Sequence, residues 1–86
     1  MQISDKMREL LQVLQPQSID IIDDSALHAG HAGAREGGHY RLNIVSAQFA
    51  GKKTMERHRM VYAALASLMQ SGIHALSINA KTPDGT

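Results

Sequence analysis

Five histidines and no cysteine decide what chemistry this chain of 86 residues can do by itself. Neutral imidazole is the commonest metal ligand among side chains. A chain without cysteine forms no disulfide and offers no thiolate to a metal. His28 and His31 stand as H-x-x-H in a glycine-rich stretch, with enough freedom for two imidazoles to meet one ion. His74 precedes an apolar run, His39 opens another, and His58 lies inside Arg57-His58-Arg59. Each has a plainer reading. A solvated loop accounts for His28 and His31, a partly buried ring bonded to a backbone carbonyl accounts for His74, and helix packing accounts for His58. An isolated zinc site needs three ligands with an open position, which His28, His31 and His74 could supply together. The second cluster is basic: Lys52, Lys53, Arg57 and Arg59 lie close together with only Glu56 opposing them. A phosphate or an acidic surface could dock there, and the same run also reads as the solvated start of a helix. Asp23 and Asp24 read as solvated acids at a strand end. No Ser-His-Asp pattern, phosphate loop or catalytic carboxylate pair is present, so an enzyme is not expected.

The elements that must hold these residues follow from apolar spacing. Ile3, Met7, Leu10, Leu11 and Leu14 recur on one face of a helix, with Ser4 as its cap and Pro16 as its stop. Ser18 to Ile22 is a β-branched run and reads as a strand. Residues 23 to 38 contain four of the glycines and no periodicity, which makes a long loop expected to be mobile. Tyr40, Leu42 and Ile44 alternate with Arg41, Asn43 and Val45, the pattern of a half-buried strand. Phe49 and Gly51 fall in a turn. Thr54 then caps a long helix with Met55, Val61, Tyr62, Leu65, Leu68 and Met69 at helical spacing, and Gly72 stops it. Ile73 to Thr82 is the last strand. By period 2, His74 shares a face with Leu76 and Ile78.

The order α-β-β-α-β places the first two strands antiparallel, and the crossover helix makes the second and third parallel. The expected fold is a two-layer α+β sandwich, with helices on one face of a three-stranded mixed sheet. Residues 1–86 make one domain. Leu10, Leu11 and Leu65 belong in its core. With aromatics limited to Tyr40, Tyr62 and Phe49, that core is mostly aliphatic. A net charge of +1 is no global nucleic-acid signature. No apolar run reaches a membrane span, and the N-terminus lacks the pattern of a secretory signal. A cytoplasmic protein is the expectation.

Phe49-Ala-Gly-Lys-Lys-Thr-Met-Glu-Arg-His-Arg-Met-Val-Tyr62 resembles the signature of the BolA family, in which an F-x-G turn leads into an R-H-R-apolar-V-Y helix. Ile73-His-Ala-Leu-Ser-Ile78 resembles the family's strand motif, with Lys81-Thr82-Pro83 following. Val45-Ser46 to Phe49, and His28-Ala-Gly-His31 ahead of His39-Tyr40, are also similar to BolA members. The likeness covers nearly the whole chain. It implies a fold related to class II KH domains and a partnership with a monothiol glutaredoxin through a bridging [2Fe–2S] cluster. The protein would be a monomer alone and a heterodimer with its partner. The family's other association is a role in transcription, with DNA as partner. His74 matches the family's cluster ligand. His28 matches its loop histidine most directly, His31 nearly as well, and His39 is the third choice. Such a cluster takes four ligands, usually thiolates, which histidine can replace. Sulfide-bridged iron favours soft ligands, so histidines alone would hold it poorly. The resemblance supplies the missing donors: a glutaredoxin cysteine and glutathione. A KH domain clamps nucleic acid with a G-x-x-G loop, and Gly51-Lys-Lys-Thr54 lacks the second glycine.

Overall fold

The first helix buries Met7 and Leu11 from its apolar stripe, whereas the second buries only part of its apolar set. The computed structural model describes residues 3–24, 38–70 and 72–86. Helix α1 (Ile3–Leu11) passes into a 3-10 turn (Gln12–Leu14) and is followed by β1 (Ser18–Asp23). Strand β2 (Gly38–Val45) leads through a second 3-10 turn (Ala47–Phe49) to α2 (Thr54–Ala64), the short α3 (Ala66–Met69) and β3 (Ile73–Lys81). Most of the glycine-rich loop, including His28 and His31, lies outside the described residues.

The sheet has the order β1-β2-β3. β1 pairs antiparallel with β2 from Ser18 opposite Val45 to Asp23 opposite Tyr40. β2 pairs parallel with β3 from Gly38 opposite Ile73 to Val45 opposite Lys81. This is the expected α+β architecture. Met7, Leu11 and Leu14 meet Val61, Leu65 and Leu68 over Tyr40, Leu42 and Ile44, with Phe49 and Ile73 closing the ends. Ile19, Ile21, Leu76 and Ile78 complete the inner face, half-buried.

Several local expectations are corrected. α1 begins at Ile3, so Ser4 is inside it, and the helix tightens to a 3-10 turn before Gln15, which takes a left-handed φ of 50°. Lys53, not Thr54, caps α2, and makes no side-chain cap. The long helix breaks at Leu65, whose amide still bonds the Val61 carbonyl while its own carbonyl receives Leu68 and Met69. Leu65 and Leu68 thereby both reach the core. Met55 and Tyr62 are exposed, at 69% and 39%. At roughly 100° per residue, both lie about a quarter to a third of a turn away from the stripe of Val61, Leu65 and Leu68. Leu10 is half-buried for the same reason, being one position round from Leu11.

One polar side chain is as important as any apolar one. Ser46 is fully buried. Its hydroxyl donates to the Leu14 carbonyl at 2.6 Å and accepts from the Gln48 amide at 3.1 Å, while its own amide donates to the Lys81 carbonyl at 2.9 Å. Thus one residue ties the end of the first helical segment to the ends of β2 and β3. Ser46→Ala should lower unfolding free energy by about 1–3 kcal/mol by leaving a buried carbonyl unpaired. Leu65→Ala should cost about 2–5 kcal/mol and Leu10→Ala clearly less. Urea unfolding monitored by circular dichroism checks the order of all three.

Candidate functional site

Parallel pairing brings the starting ends of β2 and β3 side by side, and with them two histidines. The register is irregular at this point. Gly38 lies opposite Ile73, but His39 lies opposite Ala75, so His74 is the extra residue of a β-bulge. A bulge re-aims the side chain it contains. Strict alternation would have put His74 on the Leu76 face. Instead Ile73 is buried and His74 is exposed. His39 alternates with buried Tyr40 and so projects to the opposite side of the sheet. The two rings lie with centroids 5.2 Å apart and planes at 44°.

That separation suits a shared ligand. Two imidazoles bonded to one tetrahedral ion at about 2.0–2.1 Å hold their ring centres roughly 5 Å apart. Both carry imidazole nitrogens on adjacent, hydrogen-bonded strands. Among the described residues, no group of three histidine, cysteine or acidic side chains is placed to hold a metal ion. The described residues thus bring two imidazoles together and no third such donor.

The surroundings fix its position. The Gly38 amide donates to the Gly72 carbonyl at 3.3 Å, and the Asp24 amide donates to the His39 carbonyl at 2.7 Å. The Arg41 guanidinium grips the Asp24 carboxylate with two bonds, of 2.6 and 3.2 Å. Gly38 itself sits under the ring of Tyr40: a Cβ there would lie 2.3 Å from Tyr40 Cε2 and 2.7 Å from its Oη. Burial, and then the nearby Asp23 carboxylate, push the Tyr40 phenol above its ordinary pKa. Tyr40 thus stays neutral as a wedge over the strand's first residue.

The basic cluster is at the other end. Seven residues of β3 separate His74 from Lys81, about 23 Å at 3.3 Å per residue. Lys52, Lys53 and Arg59 are exposed there. Arg57 is committed structurally. Its Nε donates to the Lys52 carbonyl at 3.0 Å, and its Nη1 donates to the carbonyls of Ala80 and Thr86 at 3.0 and 2.9 Å. Its guanidinium also lies 6.0 Å from the Phe49 ring centroid, over the ring. It is a staple between α2 and β3, not the free surface cation its sequence context suggested.

An α+β domain with a three-stranded mixed sheet and paired imidazoles at one end is the structural class. Residues 10–85 match the family model described as BolA-like protein, and the chain belongs to the BolA family. The chloroplastic BOLA1 protein of Arabidopsis thaliana is 45% identical over 83 residues, covering 91% of this chain and 52% of that one. The Escherichia coli relative named DNA-binding transcriptional regulator BolA is 32% identical over 83 residues, covering 95% of this chain and 77% of that one. The solved structure of Arabidopsis BolA1 superposes with a TM-score of 0.84 at 42% identity, covering 98% of this chain and 95% of the other. This chain spans about half the length of several curated relatives, such as the plant BOLA1 and the mouse BolA-like protein 1.

Sequence reasoning ranked His39 below His28 and His31. The approach of His39 to His74 depends on the register, because an extra residue in β3 cannot be read from one strand alone. Gly38→Ala should force the Tyr40 ring aside and disturb the bulge, lowering stability by about 1–3 kcal/mol. The accompanying sign is a loss of the ring-proximity shifts between His39 and His74 in proton NMR. Unchanged imidazole resonances in the folded variant would show that Tyr40 does not fix the pair.

Proposed function

We propose that this protein is an iron–sulfur cluster assembly, trafficking or sensing partner that binds a monothiol glutaredoxin. His74 and a second histidine would co-ligate a bridging [2Fe–2S] cluster, with a glutaredoxin cysteine and glutathione as the thiolate donors. The observation that carries this reading is the approach of His74 and His39 at the head of two paired strands. In support, the chain has no cysteine, and two imidazoles stand close together, one exposed and one half-buried, where a partner's thiolates could reach them. The cluster supplies electron-transfer and iron–sulfide chemistry, and imidazole ligation raises its potential relative to thiolate. This chain's part is to hold two nitrogen donors at a fixed separation. His39 is the second ligand this geometry favours. His28 and His31, on the segment that leaves from Asp24 beside His39, are the alternatives. The reading assigns the protein no catalytic step.

A transcriptional role with DNA as partner is the second reading, prompted by the printed name of the Escherichia coli relative. It would use the Lys52, Lys53 and Arg59 end and leave the histidine end free.

The test mixes the protein with a monothiol glutaredoxin, glutathione, iron and sulfide, and reads nitrogen coupling by EPR on the reduced complex. His74→Ala should remove imidazole coupling from one ligand position while leaving the fold intact. His39→Ala should remove the other, and His28→Ala and His31→Ala singly should not. Retention of both couplings in folded His74→Ala would discard the central residue. Loss with His28→Ala or His31→Ala, but not His39→Ala, would move the second ligand to the glycine-rich segment.

A further inference from the structure

At the end of the sheet away from the histidines, the first turns of α2 and the last residues of β3 enclose a cleft of about 220 Å3. Thr54, Arg57 and His58 from α2 face Asn79 and Lys81 from β3 across it, with Thr86 at its side. Three nitrogen-bearing basic side chains line the cleft, and no acidic side chain does. The local sequence does not reveal this group, because His58 and Lys81 are far apart in the chain and Lys52, Lys53 and Arg59 are not among its walls.

The central donor is well fixed. Arg57 is held by the carbonyls of Lys52, Ala80 and Thr86 through Nε and Nη1. A guanidinium has five N–H donors, so its Nη2 hydrogens remain without a protein acceptor among the described residues. The capping residue of α2, Lys53, provides no side-chain acceptor for the helix's first amides. Those amides and the helix dipole favour an anion at this end. The nearby acid is occupied. Asp84 accepts from the Thr82 hydroxyl, then from the Thr86 hydroxyl and amide, and these bonds hold its carboxyl down to about 2.

We propose that this cleft binds a phosphate group. Guanidinium, ammonium and imidazole donors beside a helix start form the set that phosphate oxygens accept from. The volume is below the roughly 300–1,000 Å3 of drug-sized pockets, so it takes one small charged group, with the rest of the ligand outside. That group belongs either to a free small phosphate or to a nucleic-acid backbone. The site does not depend on the cluster reading, since its β3 residues lie about 13–23 Å along the strand from His74.

The experiment titrates the 15N-labelled protein with inorganic phosphate, with a 5′-mononucleotide and with a short single-stranded oligonucleotide, following amide shifts. The expected result is saturable movement at residues 54–58 and 79–81. Lys81→Gln and His58→Gln, both leaving the Arg57 staple intact, should each weaken the affinity by about tenfold. His74→Ala should leave it unchanged. Saturation by inorganic phosphate or mononucleotide at similar affinity assigns a small phosphate. Binding by the oligonucleotide at much lower concentration, with the same dependence on Lys81 and His58, assigns a backbone phosphate. No saturable shift at 54–58 and 79–81 with any of the three probes overturns the proposal. So does binding that survives both variants, because the contacts would then be the exposed lysines of the turn.

Discussion

The parallel pairing of β2 with β3 is the constraint from which the rest of the molecule follows. Parallel neighbours cannot be joined by a tight turn, so the chain must leave the end of β2 and travel back to the start of β3. It does so through the Ala47–Phe49 turn, α2 and α3, and this return covers the inner face of the sheet with Val61, Leu65 and Leu68. The same geometry sorts the functional groups. Both strands start together, which sets His39 beside His74, and both end together, which sets Lys81 beside the start of α2. Ser46 and Arg57 lock the second end by backbone bonds to Lys81 and Ala80. The Gly38 bond to Gly72 and the wedge of Tyr40 lock the first.

Much of this was legible in the sequence. The alternation through Tyr40, Leu42 and Ile44 and the helical stripe of Met7, Leu11 and Leu14 gave the elements, and their order gave the pairing. Tertiary effects account for what was not legible. Met55 and Tyr62 are apolar enough to read as core, yet their angular position on α2 turns them to solvent. Arg57 reads as one of several surface cations, and only the folded chain shows three carbonyls converging on it. His58 reads as a packing residue, and only the approach of β3 makes it the wall of a cleft.

The histidines show the same division at finer scale. His74 was legible as a candidate because a recognisable motif surrounds it. Its direction was not, because period 2 assigns it to the core face and a single extra residue reverses that. A bulge interrupts the ladder locally and leaves a residue unpaired. Here it falls at the first residues of the strand, where few ladder bonds are at stake, and the side chain it releases is the one with ligand chemistry. His39 needed no bulge. It lies on the outer face by ordinary alternation, and becomes notable only because His74 is turned toward it.

The ion pair beside the two histidines bears on which donor groups this end of the sheet presents. An acid next to two imidazoles would ordinarily add a hard oxygen donor and widen the range of acceptable metals toward magnesium, calcium and manganese. Asp24 is the acid bonded by its amide to the His39 carbonyl, and its carboxylate does not join the two imidazoles in a metal-holding group. Arg41, one residue beyond Tyr40 on the outer face, takes both of its carboxylate oxygens. The pair is partly exposed, so its direct contribution to stability is modest, about 0–1 kcal/mol. A carboxylate held by two bonds must break both before it can turn elsewhere, at a cost no larger than that contribution. What remains at the head of the strands is a pair of borderline nitrogen donors with no thiolate and with the neighbouring carboxylate engaged. The Arg41–Asp24 pair therefore keeps the neighbouring carboxylate engaged and leaves the two imidazoles as the donors at the head of the strands.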